Sequence, residues 1–234
     1  MSKIIAEIGV NWNGDISIAK DMILQSKRAG ADAVKFQMFN EKIIKDSKYK
    51  NELSEMILDF STLNELRGYA FKNYISFGVS AMYPELFDYI YNLGVPVDFI
   101  KIRCKDNTSK EIAEPAVKYC NRFDIPLLVS TERLKYTLYY TSHANYLYCV
   151  PKYPPELNEI QNKYINGFYF SGYSNHFPSP YLPMIAVARE LRYVEIHVKR
   201  PAASEQIDEP VSIDFDDLKR VCDFRDTLSE LRGN

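Results

Sequence analysis

Short apolar, β-branched runs alternate with amphipathic stretches from one end of the chain to the other. Eight runs are candidate strands: Ile4–Val10, Ala33–Gln37, Ser76–Met82, Asp98–Arg103, Pro126–Thr131, Tyr146–Val150, Phe168–Ser174 and Tyr193–Val198. Within these runs the apolar residues are largely continuous and do not alternate cleanly with polar ones. This pattern is typical of parallel strands that are buried on both faces.

The stretches between the strands predict helices. In the first of them Asp15 is a suitable N-cap and Gly30 a suitable C′ residue, and the apolar face consists of Ala19, Met22, Ile23 and Ser26. Further helices are predicted over Ser61–Asn73, Pro84–Leu93, Ser109–Arg122, Tyr181–Leu191 and Phe215–Leu231, with short ones at Arg133–Ser142 and Glu156–Lys163.

Eight βα units predict an α/β fold of the (β/α)8 TIM barrel type, with a doubly wound open sheet as the alternative. We expect residues 1–234 to form a single barrel domain.

The net charge of −2 gives no electrostatic footprint for nucleic acid or an anionic membrane. No apolar stretch approaches the length of a membrane span, and the N-terminus lacks a signal peptide pattern, so a cytoplasmic protein is expected. The four cysteines have no short paired spacing and are interpreted as small buried hydrophobes.

Two of the three histidines, His176 and His197, fall near the ends of the last two predicted strands. In a parallel barrel the carboxyl ends of the strands carry the chemistry. Two neutral imidazoles there suggest an open divalent-metal site completed by water, a carboxylate or substrate. A core histidine held by one hydrogen bond is the alternative.

Lysines inside apolar strands are costly unless they meet an anion. Lys35 and Lys101 are of this kind, and two readings stay open for them. Each could be the buried partner of Glu7 or Glu195. Alternatively, together with Arg103 and Lys105, they form a cationic floor for a phosphate or carboxylate.

Several segments, in order along the chain, resemble motifs of the sialic acid (N-acetylneuraminate) synthase family. They are Ala6–Asp15 (AEIGVNWNGD), Gly30–Gln37 (GADAVKFQ), Leu93–Pro96 with Ile100–Ile102, Tyr148–Cys149 with Lys152–Pro154, Gly172–His176 (GYSNH), Glu195–His197 (EIH) and Asp208–Ser212. The resemblance implies a TIM barrel enzyme that condenses phosphoenolpyruvate with an open-chain N-acyl hexosamine. The expected products are a nine-carbon 2-keto sugar acid and phosphate, in carbohydrate biosynthesis. Since the longer family members form dimers, a homodimer is an expected assembly.

The resemblance also implies residue roles. His176 and His197 would hold a divalent cation, Mn or Mg, that polarises the sugar aldehyde. The implied phosphoenolpyruvate ligands are Lys35, Lys101 and Ser174; those for the sugar hydroxyls are Gln37, Tyr153 and Asp208. Glu195 would contribute charge or proton handling. The candidate catalytic residues are thus Glu7, Lys35, Lys101 and Glu195. The segment Arg103–Asp106, which stands where the family has a Gly-Ser-Gly-Glu/Asp turn, adds Arg103 and Asp106 to the substrate-binding candidates.

Several positions depart from the family pattern, mostly where the phosphate would bind. Cys104 stands in place of a serine, Ala81 and Pro151 replace polar residues, and Glu132 replaces a glycine. We also expect no C-terminal antifreeze-like domain of the kind that longer members carry. These departures leave two alternatives to the synthase: a related metal-dependent barrel lyase or aldolase using a different keto acid or aldehyde, and a non-catalytic barrel.

Overall fold

A computed structural model of the chain describes residues 1–92, 96–134, 143–201 and 206–233. Eight parallel strands, each hydrogen-bonded to the next, close into a barrel in which β8 pairs with β1. The strands are Lys3–Gly9 (β1), Ala33–Met38 (β2), Ser76–Ala81 (β3), Phe99–Ile102 (β4), Leu127–Thr131 (β5), Ala144–Tyr148 (β6), Gly172–Asn175 (β7) and Tyr193–His197 (β8). The predicted (β/α)8 barrel is therefore confirmed, and the open-sheet alternative is wrong.

Helices surround the barrel. In the described residues they are Ile16–Arg28 (α1), Glu41–Ile44 (α2), Lys50–Ser54 (α3), Phe60–Lys72 (α4), Leu86–Tyr91 (α5), Lys110–Phe123 (α6), Tyr181–Ala188 (α7) and Phe215–Leu231 (α8). The Asp15 side chain caps α1 by accepting from the backbone N–H groups of Ser17 and Ile18, and Gly30 follows the helix with φ +94°. No helix of the described residues is both long and apolar enough to cross a membrane.

Two sequence predictions fail on the same side of the barrel. The predicted strand Phe168–Ser174 begins only at Gly172, because Phe168 is 85% exposed and the backbone N–H groups of Tyr169 and Phe170 turn back to the carbonyl of Asn166. The predicted helix Glu156–Lys163 is replaced by two 3-10 turns, Leu157–Glu159 and Asn162–Tyr164. Most of the predicted helix Arg133–Ser142, and residues 93–95 of the family-like motif, lie outside the described residues.

The interior of the barrel is filled in layers, and its lower layer is apolar. This layer consists of Ile5, Ala33, Phe99, Leu128, Leu147 and Tyr193. Gly78 leaves room for the Phe99 ring, since a Cβ atom at Gly78 would lie 2.2 Å from it. The lower layer closes the barrel interior from below and leaves the interior open towards the carboxyl ends of the strands.

Candidate active site

A cavity of about 300 Å³ opens at the carboxyl ends of the strands. It is lined by Glu7, Lys35, Gln37, Ser80, Lys101, Arg103, Cys104, Lys105, Ser130, Cys149, Pro151, Tyr153, Ser174, His176, Glu195, His197 and Asp208. Of the sequence-predicted site residues, Asp106 alone is not part of this lining. It lies directly behind the wall, where its carboxylate accepts a hydrogen bond from Nε of Arg103. The barrel thus brings together side chains from distant parts of the sequence.

The floor of the cavity is a buried network of two lysines and two glutamates. Nζ of Lys35 lies 2.5 Å from Oε2 of Glu7, and Nζ of Lys101 lies 2.7 Å from Oε1 of Glu195. Lys35 also approaches Oε2 of Glu195 at 3.7 Å, which links the two pairs. The reading of the lysines as buried partners of glutamates therefore describes this structure, although both ammonium groups still face the cavity.

The two glutamates of the network have pKa values shifted in opposite directions. Burial raises the pKa of Glu7, and the attraction of Lys35 does not offset it. Burial acts in the same direction on Glu195, but Lys101 and Lys35, with a hydrogen bond from Ser174, hold its pKa well below the usual range. Divergent pKa values in adjacent carboxyl groups separate a proton-carrying group from one that stays ionised.

His176 directly follows β7, and His197 is the last residue of β8. Nδ1 of His176 lies 2.9 Å from the carbonyl oxygen of Val150, which can only accept, so Nδ1 carries the proton and Nε2 keeps its lone pair. Burial, together with the charge of His197, lowers the pKa of His176 to about 3, and its ring is neutral at pH 7. The two imidazole centroids are 5.3 Å apart.

His197 is oriented by a carboxylate instead. Its Nδ1 lies 3.3 Å from Oδ2 of Asp208. Burial alone would lower the pKa of His197, but Asp208 outweighs it and raises that pKa. A carbonyl or carboxylate behind the second ring nitrogen is the usual support for a metal-binding histidine.

The two histidines fit an open metal site but not a closed one. Nδ1 of His176 is hydrogen-bonded to a carbonyl oxygen, and Nδ1 of His197 lies within ion-pair distance of a carboxylate, which leaves Nε2 of each ring as the atom able to bind a metal. Within the described ranges, no group of three or more His, Cys, Asp and Glu side chains is arranged as a metal site. A cation held here would therefore need water or substrate in its remaining positions.

One wall of the cavity is built from the loops after β1 and β8. Nε2 of Gln37 donates to Glu7 at 3.1 Å and to Asp208 at 3.2 Å. The backbone N–H of Asp208 donates to the fully buried Asn11, which ties the two loops together. Gly9 has φ +56°, and a Cβ atom there would lie 3.0 Å from both Gln37 and Asp208. The glycine thus keeps this wall open.

The opposite side is closed by Tyr153, whose ring stacks on His176 with 4.3 Å between the centroids. Its hydroxyl lies 3.2 Å from Nε2 of that histidine. The remaining wall is the 3-10 turn Cys104–Asp106 after β4, with exposed Lys105 at the mouth. Hydroxyls, an amide and a carboxylate therefore surround the histidines, and the basic side chains lie near the turn.

Sequence reasoning missed several residues that line or support the cavity: Asn11, Ser80, Ser130 and Cys149. Ser80 accepts a hydrogen bond from Lys35 at 2.5 Å, and it lies two residues before the end of the predicted strand Ser76–Met82; a polar residue so near a strand's carboxyl end is a signal that could have found it. Cys149 gave no such signal, because a cysteine after an apolar strand is more often a small core residue.

Comparison with known proteins places this arrangement in a family. The model of the NeuB family matches residues 22–234. The chain belongs to the NeuB family. Among its NeuB-like relatives, the N,N'-diacetyllegionaminic acid synthase of Legionella pneumophila is 26% identical over 93% of this chain and 69% of the relative. The N-acetylneuraminate-9-phosphate synthase of Drosophila melanogaster is 27% identical over 93% of this chain and 65% of the relative. The chain thus spans about two thirds of the length of these curated proteins.

The fold agrees with that of a solved structure described as an N-acetylneuraminic acid synthetase. The protein of Leptospira borgpetersenii, in complex with citrate, superposes with a TM-score of 0.83 at 21% identity. The match covers the whole of this chain and 85% of the other. The resemblance to sialic acid synthases read from the sequence is therefore confirmed at the level of family and fold.

Proposed function

We propose that this protein is a metal-dependent synthase that condenses phosphoenolpyruvate with an open-chain N-acyl hexosamine of the N-acetylmannosamine type. C3 of phosphoenolpyruvate would form a bond with the aldehyde carbon, water would add at C2, and phosphate would leave. The product is a nine-carbon 2-keto sugar acid used in carbohydrate or surface polysaccharide synthesis. The observation that carries the proposal is the pairing, in one cavity, of two oriented imidazoles with a lysine-rich floor.

The histidines are assigned to the metal. His176 and His197 would hold a divalent cation, Mn or Mg, through their Nε2 atoms. Bound there, such a cation supplies Lewis-acid polarisation of a carbonyl oxygen. Because metal binding needs both imidazoles neutral, the raised pKa of His197 strengthens the competition between protons and the metal at this ring.

The floor and walls are assigned to the two substrates. Lys35, Lys101 and Ser174 are oriented to hold the carboxylate and phosphate of phosphoenolpyruvate, with Arg103 near the mouth. Gln37, Tyr153 and Asp208 offer donors and acceptors to the sugar hydroxyls. Asp106 would act through Arg103, whose guanidinium it holds.

The glutamates are assigned to proton handling. The raised pKa of Glu7 makes it the better carrier of a proton, whereas Glu195 stays ionised and positions the ammonium group of Lys101. General acid–base catalysis favours a group whose pKa approaches the working pH.

The charge balance of the floor favours a second candidate, an aldolase-type barrel that uses a keto acid without phosphate. Lys35 and Lys101 are already paired with Glu7 and Glu195, and Arg103 is paired with Asp106. Such a floor offers less surplus positive charge to a substrate with two anionic groups than to a single carboxylate.

One assay separates the candidates. The full chain is incubated with Mn, phosphoenolpyruvate and a panel of N-acyl hexosamines, and phosphate release and product mass are measured. The synthase predicts phosphate release that depends on all three. Absence of phosphate with every sugar would refute it, and metal-dependent product from pyruvate in place of phosphoenolpyruvate would support the aldolase.

The metal assignment has its own test. His176→Ala should abolish binding of Mn measured by isothermal titration calorimetry, with unchanged circular dichroism. The matched control is His143→Ala, since His143 precedes β6 and lies at the opposite end of the barrel. Unchanged Mn affinity in His176→Ala would refute the assignment, and absence of Mn binding to the parent protein would favour a non-catalytic barrel.

A further inference from the structure

Two of the four cysteines meet in the wall of the cavity. Cys104 lies on the turn after β4 and is partly exposed, whereas Cys149 follows β6 and is 1% exposed. Both line the cavity, and the thiol chemistry of neither is used in the proposed reaction. They come from strands that are not neighbours, since β5 lies between them.

The end of β5 explains how the two thiols come together. The backbone N–H of Cys149 donates to the carbonyl of Thr131 at 3.2 Å, which fixes Cys149 beside the last residue of β5. The side chain of Cys104 lies near the backbone N–H of Glu132, the next residue. Cys104 therefore reaches over the strand end, where its thiol neighbours that of Cys149 in the lining of the same cavity.

The pair is chemically asymmetric. The hydrogen bond from Cys149, with that from the Glu132 backbone and the charge of Lys101, lowers the pKa of Cys104 despite its partial burial. The same contact and burial raise the pKa of Cys149. A thiolate-prone, accessible sulfur beside a protonated, buried one is the arrangement of an attacking and a resolving thiol.

The other two cysteines provide an internal comparison. Cys120 in α6 and Cys222 in α8 are buried, and burial raises the pKa of each to about 12. At neutral pH their thiolate fraction is on the order of a thousandfold below that of a thiol at its ordinary value of 9.0. Both should therefore be inert towards oxidants that need a thiolate.

We propose that Cys104 and Cys149 form an oxidisable dithiol that responds to peroxides. The Cys104 thiolate attacks one peroxide oxygen, the O–O bond breaks, and water leaves after protonation, which gives a sulfenic acid. The Cys149 sulfur then attacks the sulfenic sulfur, forms the S–S bond, and releases a second water. Two thiols and one hydrogen peroxide thus become one disulfide and two waters.

The consequence for the cavity follows from where the sulfurs lie. A disulfide would tie the turn after β4 to the end of β6. This is the wall in which Cys104 stands at the position of the serine in the family pattern. Oxidation is expected to close the lysine-rich side of the cavity.

The test is mass spectrometry of the full chain, so its outcome does not depend on the proposed function. The reduced protein is titrated with hydrogen peroxide and digested without reductant. We expect the intact mass to fall by two hydrogen atoms, a single linked peptide pair containing Cys104 and Cys149, and reversal by dithiothreitol. In Cys149→Ser, dimedone should trap the sulfenic acid at Cys104.

Two further variants make the result decisive. Cys120→Ala should keep the linked pair, whereas Cys104→Ser should lose it, together with the fast phase of peroxide consumption. Oxidation of Cys104 no faster than that of Cys120 would overturn the proposal. A disulfide through any other cysteine, or a sulfenic acid that persists in the parent protein without linking to Cys149, would also overturn it.

Discussion

The buried ion pair between Lys101 and Glu195 allows a sharp test of how the cavity floor is held. Nζ of Lys101 lies 2.7 Å from both carboxylate oxygens, and neither side chain is more than 4% exposed. Lys101→Met keeps the length of the side chain and removes its charge. Glu195 then retains only the Ser174 hydroxyl at 2.8 Å and Lys35 at 3.7 Å.

Removal of one partner of a buried pair typically costs about 3–5 kcal/mol, because it leaves an uncompensated charge. We expect Lys101→Met to lie in the lower half of this range, since Lys35 remains near the carboxylate. For a chain of this size the loss corresponds to a fall in Tm of roughly 6–16 °C. Replacing both charges, as in Lys101→Met with Glu195→Gln, should cost about 2 kcal/mol less than the sum of the single variants.

The assay is urea unfolding at neutral pH, followed by circular dichroism, on the four proteins of this double-mutant cycle. The matched control is Lys20→Met, which breaks the exposed pair of Lys20 with Glu65 on α1 and α4. Such a pair contributes no more than about 1 kcal/mol. The reasoning is refuted if Lys101→Met lowers the free energy of unfolding by no more than Lys20→Met does. It is also refuted if the effects of Lys101→Met and Glu195→Gln on that free energy are additive, because the ionised pair would then not stabilise the floor.

Three further predictions concern the turn after β4, the barrel interior and the loop wall. Cys104→Ser should tighten phosphoenolpyruvate binding by about tenfold in calorimetry, since a hydroxyl donates a stronger hydrogen bond to an anion than a thiol does; unchanged affinity would mean that the anion binds elsewhere. Gly172→Ala should destabilise the protein by about 2 kcal/mol or more in urea unfolding, because its Cβ would lie 2.4 Å from a backbone oxygen of β8. Gly68→Ala in α4 meets nothing within 4 Å and should stabilise by about 0.5–1 kcal/mol in the same assay; the reverse order of the two would contradict this account. Asn11→Ala should cost about 2 kcal/mol in urea unfolding, because it leaves the Asp208 backbone N–H without its acceptor, and a cost near zero would mean that Asn11 does not hold the loop wall.

The strands and long helices could be predicted because each combines a clear apolar period with a local signal. In α1, for example, Asp15 caps the helix and Gly30 follows it, and both positions are visible in the sequence. The aromatic run before β7 misled the prediction, since Phe168 is exposed and only Phe170 is buried. An apolar run indicates only that its residues favour burial. Here the backbone hydrogen bonds of Tyr169 and Phe170 to Asn166 form a turn, so that β7 begins only at Gly172.

The two short helices α2 and α3 escaped prediction for the opposite reason. Ile44 is the single buried residue of α2, and α3 has none, so neither presents an apolar face to the sequence pattern. The start of α3 has no side-chain cap, whereas the start of α2 has one. The side chain of Asn40 accepts from the backbone N–H of Ile43 at the start of α2, a contact that composition alone does not reveal.

Most of the charged residues that line the cavity could be predicted from the sequence, but the ion pairs that they form could not. A parallel barrel gathers the carboxyl ends of all its strands, so Lys101 and Glu195 were expected in one place. Their contact joins β4 to β8 across the interior, between residues 94 positions apart. Which glutamate meets which lysine depends on strand register and on side-chain direction, and neither is encoded in a local pattern.

The charges that line the cavity indicate how the departures from the family pattern on the turn after β4 affect substrate binding. Each lysine of the floor faces a carboxylate of the chain, Lys35 facing Glu7 and Lys101 facing Glu195. A substrate with one carboxylate can share these ammonium groups, whereas a second anionic group needs donors from elsewhere. Those donors lie on the turn that carries Lys105, where the family pattern is least conserved in this chain. Phosphoenolpyruvate and pyruvate share a carboxylate, which the lysines of the floor can bind in the same way in both. The difference between their measured affinities therefore reports how strongly the turn after β4 binds the phosphate.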